Sequence, residues 1–349
     1  MSKRRKKKLN RRQQEIRRKR LKKRKRRRAI VIIIELIILC ILGTTAFALF
    51  KLGKMERTSL TNIKNNGLKQ TGYTNIALFG LDSRGKSLGK GNRTDTIMIA
   101  SINNETKKVK LISVYRDTML KQNGEHYDKA NAAYSVGGPE TAVNMLNENL
   151  DLDIQDYVSV NFLALADVID MIDGITVKMT DEEVVHMNNY CVETSKVTGK
   201  KYKKIEPAVA GTYKLNGVQA VSYARIRYTA GGDYKRTERQ RLVLEKTANK
   251  LKKQNLATIN KIIDKVMPEV STSFSTKEIL ALASGAFDFE LGETSGFPFD
   301  LETPDSIPGY SGSYVIPKGL EENVIKLHEF LFPDEDYTPT ETVTNISDT

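Results

Sequence analysis

The chain alternates between short apolar runs and longer amphipathic stretches. Apolar runs at 75–79, 96–102 and 108–114 are bounded by turn residues, which is typical of buried strands. Helical spacing of apolar residues occurs at 139–149, 162–172, 239–253, 256–267 and 276–285, and further strands are predicted at 175–179 and 220–228. Strands that alternate with helices predict an α/β fold, in which helices cover both faces of a central sheet.

Three segments lack such a pattern. Residues 51–72 are polar with scattered Leu and Ile, and we interpret them as a stalk helix or a linker. Residues 181–210 are polar and weakly patterned, which indicates an excursion from the sheet. Residues 333–349 are acidic and contain Pro and Thr, so they are predicted to form a disordered tail. The folded body is therefore predicted to span residues 73–332.

The first fifty residues differ from the rest of the chain. Residues 1–28 contain 19 of the 56 Lys and Arg and one acid, Glu15, whereas residues 29–50 are apolar with a single charge, Glu35. Residues 29–50 are long enough to cross a bilayer as a helix, and the cationic run before them predicts a cytoplasmic tail and an extracytoplasmic body. We therefore predict a single-pass protein of the cell membrane, with the lipid bilayer as a partner. Residues 46–48 have the small-x-small form of a signal-peptidase site, which leaves cleavage of the anchor as an alternative.

The net charge of +14 comes entirely from this terminal run. When residues 1–28 are set aside, 37 Lys and Arg stand against 41 Asp and Glu. Because the body is not basic, no nucleic-acid partner is expected. Cys40 lies in the predicted membrane segment, so Cys191 has no partner for an intramolecular disulfide in the body.

One motif match is misleading. Residues 80–87 match the phosphate-loop pattern GxxxxGK[ST] and follow a predicted strand. A true phosphate loop opens a helix whose N-terminal amides face the phosphates, but here the next predicted strand leaves no room for that helix. The match therefore does not indicate a nucleotide site.

Charged residues cluster where the predicted strands begin and end. Asp82 follows the first strand, Arg93 and Asp95 precede the second, and Arg116 follows the third. In open α/β sheets, the loops at strand ends form the ligand crevice. The alternative is that Asp82 and Asp95 only cap turns.

A second polar group lies further along the chain. Arg225 and Arg227 are two apart on a predicted strand, so they share a face and repel each other unless an anion lies between them. Arg236 and Gln240 are four apart at the start of the next helix, with Asp233 just before them. Forked donors that stay charged suit phosphate oxygens, so a diphosphate fits the combined set. Carboxylates beside a diphosphate require a hard divalent cation, and we predict Mg²⁺, with Mn²⁺ as an alternative.

Several long motifs in this order resemble the LytR-CpsA-Psr (LCP) family of bacterial membrane-anchored enzymes. They are NIALFGLDSR, NRTDTIMIASIN, LISVYRD, KANAAYSVGGPE, YARIRY and GGDYKRTERQR, and they cover roughly residues 73–249. The resemblance implies a mixed central sheet between helices and an apolar tunnel that holds the polyprenyl chain of a donor lipid. Candidate tunnel residues are Phe162, Leu163, Leu165, Val168 and Ile169.

The resemblance also implies roles for the charged residues. The metal-binding carboxylates fall on Asp82 and Asp95, the diphosphate-binding residues on Arg93, Arg116, Arg225, Arg227, Arg236 and Gln240, and the candidate general base on Asp233. Catalysis would then rest on Asp233 together with Arg93, Arg225 and Arg227.

The implied activity is that of a magnesium-dependent phosphotransferase of cell wall assembly. Such an enzyme moves an anionic glycopolymer from an undecaprenyl-diphosphate carrier to peptidoglycan, at the C6 hydroxyl of N-acetylmuramic acid. The polymer is left open between teichoic acid, capsule polysaccharide and other wall polymers. Two alternatives fit the same residues: a non-catalytic membrane-bound regulator that binds polyprenyl diphosphate, and a diphosphate hydrolase.

Overall fold

The computed structural model of the protein describes residue 53 and residues 55–82, 88–285 and 288–348. The chain divides into two units, residues 1–53 and 54–349. The predicted basic tail at 1–28 and the predicted membrane helix at 29–50 lie outside the described residues. Among the helices of the described ranges, none is both long enough and apolar enough to span a bilayer.

Strands and helices alternate along the second unit. The strands are β1 (Glu56–Arg57), β2 (Tyr73–Leu81), β3 (Thr94–Asn103), β4 (Lys108–Val114), β5 (Met119–Lys121), β6 (Tyr127–Lys129), β7 (Ile154–Asn161), β8 (Ile175–Met179), β9 (Gly211–Leu215), β10 (Val270–Thr272), β11 (Glu290–Phe297), β12 (Leu301–Glu302) and β13 (Ile316–Pro317). The helices are α1 (Ala130–Leu150), α2 (Phe162–Met171), α3 (Asp181–Thr198), α4 (Gly217–Ala224), α5 (Gly232–Leu251), α6 (Leu256–Val266), α7 (Thr276–Ser284), α8 (Leu320–Leu331) and α9 (Glu341–Ser347).

Seven strands form one mixed sheet in the order β1-β10-β7-β2-β3-β4-β11. At its centre, β2 pairs antiparallel with β3 and parallel with β7. The register between β2 and β3 sets Phe79 opposite Ile97 and Leu78 opposite Met98. The predicted α/β class is therefore confirmed, with a mixed central sheet.

Helices pack on both faces of this sheet because successive strand residues point to opposite sides. Phe79 and Ile97 face the largest core, which α1 and α8 complete with side chains such as Leu146 and Leu327. On the other face, Ile76 packs with α7, and β7 packs with α2 to α6 in a separate core.

The strand predicted at 220–228 is wrong, because this segment is α4 followed by an irregular loop. A capping box starts the helix: Asn216 Oδ1 accepts a hydrogen bond from Gln219 N at 3.0 Å, and Gln219 Oε1 accepts one from Asn216 N at 2.9 Å. All eight residues of α4 are buried. A short, buried apolar stretch of this length cannot be told from a buried strand by its pattern alone, which explains the error.

The excursion predicted at 181–210 is instead largely helical. Thr180 and Glu183 form a second capping box at the start of α3, and Gly199 ends the helix with φ of 67°. Glycine adopts this left-handed conformation without steric cost. Val184, Met187 and Cys191 are buried in the same core as α4, so α3 is an integral part of the fold.

Both segments predicted to flank the folded body also pack against it. Leu60 and Ile63 of the expected linker contact the main core, and Val343 and Ile346 of α9 are buried in it. The tail expected to be disordered is thus ordered, because its few apolar residues are spaced to bury one side of a short helix.

Asp151 joins these two segments to the end of α1. It is fully buried and has a left-handed backbone with φ of 52°. Its carboxylate accepts hydrogen bonds from the Asn66 side chain, from Tyr337 Oη at 2.6 Å, and from Thr340 N and Oγ1 at 2.8 and 2.7 Å. One side chain at the end of α1 therefore satisfies donors from two separate segments of the chain.

We expect Asp151→Asn to destabilise the protein. The amide replaces one acceptor oxygen with a donor, which leaves buried donors of Tyr337 and Thr340 unpaired, at about 1–3 kcal/mol each. Asp173→Asn is the matched control, because Asp173 has a similar left-handed backbone but an exposed side chain paired with Lys214. Urea unfolding of both variants measures the difference, and an unchanged midpoint for Asp151→Asn would contradict the role of this carboxylate.

Candidate active site

A cavity of about 510 Å³ opens on the face of the sheet opposite α1. Strands β2, β3 and β7 form its floor, and α2, α4 and α5 form its walls. Apolar side chains make up much of the lining: Leu78, Met98, Val158, Val160, Phe162, Leu165, Val221, Val243 and Leu244. The cavity thus offers an apolar surface to a ligand.

The predicted tunnel residues are only partly correct. Phe162 and Leu165 line the cavity. Ile169 belongs to the core behind it, Val168 packs against that core, and Leu163 is not part of the lining. The sheet residues of the floor were missed because strand alternation does not reveal which face carries a cavity.

All eight residues predicted to bind metal or diphosphate line this cavity. They are Asp82, Asp95, Arg93, Arg116, Arg225, Arg227, Arg236 and Gln240. Asp233, the predicted base, lies beside them: its Oδ2 accepts a hydrogen bond from Arg236 Nη2 at 2.9 Å, and its Oδ1 is 3.6 Å from Arg227 Nε.

Antiparallel pairing of β2 with β3 explains why the first group converges. The last residue of β2, Leu81, is opposite the first residue of β3, Thr94, and Asp82 N donates to Arg93 O at 3.1 Å. Asp82, Arg93 and Asp95 are therefore neighbours although residues 83–92 separate Asp82 from Arg93 in the sequence. Leu78 and Met98 lie further into the sheet, on the side that lines the same cavity.

A close contact of glycine shapes the floor between these regions. Gly80 faces Thr96 across the strand pair, and a Cβ atom on Gly80 would lie 2.8 Å from Thr96 Cβ. Glycine at this position therefore lets the two strands pair without a clash between their side chains.

Arg116 follows β4 and is anchored by carboxylates. Its Nη1 donates to Asp95 Oδ1 at 2.5 Å, and its Nε donates to Asp117 Oδ2 at 3.3 Å. Burial lowers the pKa of Arg116, but Asp95, Asp117 and Asp233 together outweigh this effect and raise it above the ordinary value. Arg116 therefore stays charged.

Arg225 and Arg227 reach the cavity by a different route from the one predicted. Arg225 is the C-cap of α4 rather than a strand residue. It donates to Thr194 Oγ1 and Glu193 Oε2, both at 3.1 Å, and its guanidinium lies 5.0 Å from the centre of the Phe162 ring. Both residues line the cavity, but from a helix end and the loop after it rather than from the predicted strand.

Two buried atoms of the rim lack a partner within the described part of the chain. They are Arg236 Nε and Gln240 Oε1. Burial lowers the pKa of Arg236 to about 10, partly offset by Asp233, so the guanidinium is charged at neutral pH. Burial also raises the pKa of Asp233, against the effects of Arg236 and Arg116. A buried charged donor without a full set of acceptors is a candidate contact for an anion.

Asp117 is a site residue that the sequence analysis missed. It is 8% exposed, and its oxygens lie near Arg116 Nε at 3.3 Å, Lys129 Nζ at 3.5 Å and Arg227 Nη2 at 3.8 Å. Its position directly after Arg116 at a strand end was the available signal. It holds two of the predicted diphosphate-binding arginines at fixed positions.

The donor set for a cation is limited. No group of three or more His, Cys, Asp or Glu side chains with the geometry of a metal site occurs in the described ranges. Asp82 and Asp95 offer hard carboxylate oxygens, and the unpaired Gln240 Oε1 is a third oxygen on the same cavity. Mg²⁺ is commonly held by one or two carboxylates together with substrate phosphates, so these residues fit Mg²⁺ when a diphosphate completes the set.

Comparison with known proteins relates this chain to a family and to curated relatives. A model described as the LytR_cpsA_psr family matches residues 44–293. Biofilm regulatory protein A of Streptococcus mutans is 30% identical over 254 residues, which are 68% of this chain and 60% of the relative. The polyisoprenyl-teichoic acid–peptidoglycan teichoic acid transferase TagU of Enterococcus faecalis is 28% identical over 255 residues, 71% of this chain and 78% of the relative.

A third relative, like TagU, is named as a teichoic acid transferase. The teichoic acid transferase TagV of Bacillus subtilis is 28% identical over 265 residues, 71% of this chain and 64% of TagV. The chain thus spans less than two thirds of the length of TagV and of the S. mutans protein.

Solved structures share the fold. A protein of Streptococcus agalactiae is 26% identical with a TM-score of 0.62, over 80% of this chain and 93% of that one. TagT with bound octaprenyl pyrophosphate lipid is 21% identical with a TM-score of 0.56, over 78% of this chain and 99% of that one.

We expect Arg236→Gln to weaken the binding of inorganic pyrophosphate with Mg²⁺ by about tenfold or more, because a hydrogen bond to a charged group contributes about 1.5–3 kcal/mol. The measurement is isothermal titration calorimetry on the full chain in detergent micelles. Lys235→Gln is the control, because Lys235 is on the same helix but is exposed and pairs with Glu238. Equal affinities of the two variants, with unchanged unfolding temperatures, would remove Arg236 from the site.

Proposed function

The chain belongs to the LytR-CpsA-Psr family, and from this premise we propose that it transfers a glycopolymer phosphate from a polyprenyl-diphosphate carrier to a hydroxyl group of peptidoglycan. One observation carries the proposal: a single cavity joins an apolar floor to a rim of five arginines. An isoprenoid chain with a diphosphate head group has the complementary chemistry. The names of TagU and TagV, as teichoic acid transferases, support the same reaction.

Donor binding divides between the two parts of the cavity. The prenyl chain would lie on the floor, against Leu78, Met98 and Val160, where it removes apolar surface from water. The diphosphate would contact the buried Arg236 and the anchored Arg116. Since these guanidiniums are held in place before the ligand arrives, little ordering is needed on binding.

The reaction is a phosphoryl transfer. The acceptor oxygen attacks the phosphorus next to the glycopolymer, the bridging P–O bond breaks, and polyprenyl phosphate leaves with the electron pair. Arginines at fixed positions stabilise the negative charge on the transferring and leaving oxygens. Arg93, Arg225 and Arg227 complete this set around the head group.

Asp233 is the proposed general base that accepts the proton of the attacking hydroxyl. Its pKa is raised by burial, which makes its carboxylate a stronger base than an exposed aspartate. Arg227 and Arg236 hold the carboxylate in place from two sides.

A divalent cation completes the proposed chemistry. Mg²⁺, with Mn²⁺ as an alternative, would be held by Asp82 and Asp95 together with diphosphate oxygens, where it neutralises charge on the donor. The two carboxylates otherwise repel the diphosphate.

The proposal extends to the substrates and the location. The carrier is undecaprenyl diphosphate, the acceptor is the C6 hydroxyl of N-acetylmuramic acid, and the polymer is teichoic acid, as in the names of the relatives. The protein is anchored in the cell membrane by residues 29–50, with a cytoplasmic N-terminus and an extracytoplasmic active site.

We expect the full chain in detergent micelles to move saccharide phosphate from an undecaprenyl-diphosphate-linked saccharide to peptidoglycan oligomers. EDTA should abolish the transfer, and Arg225→Ala should slow it by about a hundredfold, as for other groups that stabilise transition-state charge. Lys204→Ala, a change at an exposed lysine, should have no effect. The product is followed by mass spectrometry.

Two other results of this assay would replace the proposal. Tight lipid binding without turnover, across several saccharides, would indicate a binding regulator, in line with the names of Biofilm regulatory protein A and of the Regulatory protein MsrR of Staphylococcus aureus. Release of saccharide phosphate to water, with no transfer to peptidoglycan, would indicate a diphosphate hydrolase.

The base assignment predicts a pH dependence. Asp233 acts as a base only when it is deprotonated. The rate should therefore be low at pH values below the raised pKa of Asp233 and should increase as the pH passes through that pKa. Asp233→Asn should slow transfer by about 10²–10⁴-fold and remove this acidic limb. The measurement is a rate profile from about pH 4 to about pH 8, the range over which a carboxylate with a raised pKa titrates. Full activity of Asp233→Asn with intact lipid binding would exclude Asp233 as the base.

A further inference from the structure

The loop that carries Arg227 has an irregular backbone. Residues 225–231 join α4 to α5, and hydrogen bonds hold the ends of this loop: Ile226 N donates to Tyr223 O at 3.2 Å, and Gly232 N donates to Thr229 O at 3.0 Å. Arg227 and Tyr228 lie between these ends. The position of Arg227 in the cavity therefore depends on the interactions that fix Ile226 and Thr229.

Arg239 provides such interactions from the helix behind the loop. Its Nη1 donates to the backbone oxygen of Ile226 at 3.2 Å, and its Nη2 donates to Thr229 Oγ1 at 2.7 Å. One planar guanidinium thus holds the residues on either side of Arg227 and Tyr228. The Arg239 side chain is 6% exposed, and its guanidinium lies 5.9 Å from the centre of the Tyr223 ring.

Glu183 of α3 fixes Arg239 in turn. Arg239 Nε donates to Glu183 Oε1 at 2.8 Å, while Glu183 Oε2 accepts from Thr180 N at 3.0 Å in the capping box of α3. Both carboxylate oxygens are therefore used, one for the helix start and one for Arg239. This links the segment 181–198, for which the sequence suggested no role, to the loop of the active site.

Arg239 does not itself line the large cavity. On α5, Arg236, Gln240 and Val243 face that cavity, whereas Lys235, Glu238 and Arg239 face a separate pocket of about 370 Å³ behind the loop. In this second pocket Lys235 pairs with Glu238, and Glu182 lies 3.9 Å from His186. Arg239 and Glu183 pair with each other. They therefore hold the loop rather than offer contacts to a ligand.

We propose that Arg239 is a positioning residue, which sets Arg227 at the diphosphate through its bonds to Ile226 and Thr229 and takes its own orientation from Glu183. The inference rests on the proposed function of the same site. A displacement of about 1 Å at a binding group can cost as much as 10²-fold in rate, so a loosened loop should weaken head-group binding. The apolar floor, built on the sheet, should not change.

The experiment separates the head group from the chain with two probes, geranyl diphosphate with Mg²⁺ and geraniol, titrated into the full chain in detergent micelles. Thr229→Val removes only the hydroxyl that accepts the hydrogen bond from Arg239. Because one hydrogen bond is lost, the Kd for geranyl diphosphate should rise by about threefold or more. Thr229→Ser should restore the parental Kd. The Kd for geraniol should be the same in all variants.

Arg239→Gln tests the complete link but leaves Glu183 as a buried charge without its partner, which can unfold the protein. The double variant Glu183→Gln with Arg239→Gln removes both charges. We expect this variant to fold and to bind geranyl diphosphate about tenfold or more weakly, because the bonds to Ile226 and Thr229 are still missing. Lys246→Gln, at an exposed position of the same helix, is the control.

Three results would overturn the inference. Parental affinity of Thr229→Val and of the double variant for geranyl diphosphate would show that the loop does not need Arg239. An equal loss for both probes would show that Arg239 supports the whole cavity rather than Arg227. Absence of geranyl diphosphate binding by the unmodified chain would overturn the proposed function and this inference with it, whereas the first two results leave the proposed function standing.

Discussion

Pairing between guanidiniums and carboxylates is the interaction on which the active site depends. Several arginines around one cavity repel each other, and each needs a nearby negative charge to stay in place. Arg116 is held by Asp95 and Asp117, Arg225 by Glu193, and Arg236 by Asp233. These three arginines are therefore fixed before any ligand binds, which is the condition for effective electrostatic stabilisation of a reacting phosphate.

The sheet and the helices each bring part of the charged residues to the rim of the cavity. Pairing of β2 with β3 brings the first group of charges together and leaves an apolar face beneath them. Helices α3, α4 and α5 bring the second group to the same rim through the loop after α4. The polar and apolar halves of the cavity thus follow from one strand register and one helix-to-helix connection.

The sequence predicted the α/β class and singled out the charged residues that line the cavity, but it did not predict how all of them are held. Arg225 and Arg227 were identified by their spacing, although that spacing was attributed to a strand. Helix α4 has only eight residues, all buried, and so short an apolar stretch is compatible with either a strand or a helix. Glu183 and Glu193 contact arginines that are distant in sequence, so local pattern carries no sign of their role. Asp117 directly follows Arg116, but its contacts with Lys129 and Arg227 depend on the fold. The capping box at Thr180 and the glycine at 199 were readable signals for α3.

Asp151 couples the unfolding of two segments that are far apart in the sequence. Its carboxylate bonds both to Asn66, near the start of the described residues, and to Tyr337 and Thr340, near their end. Regions that share a buried bond network tend to unfold as one cooperative unit in hydrogen exchange. The segment before β2 and the segment after α8 should therefore form a single foldon, so that a truncation reaching Thr340 also loosens the N-terminal entry into the sheet.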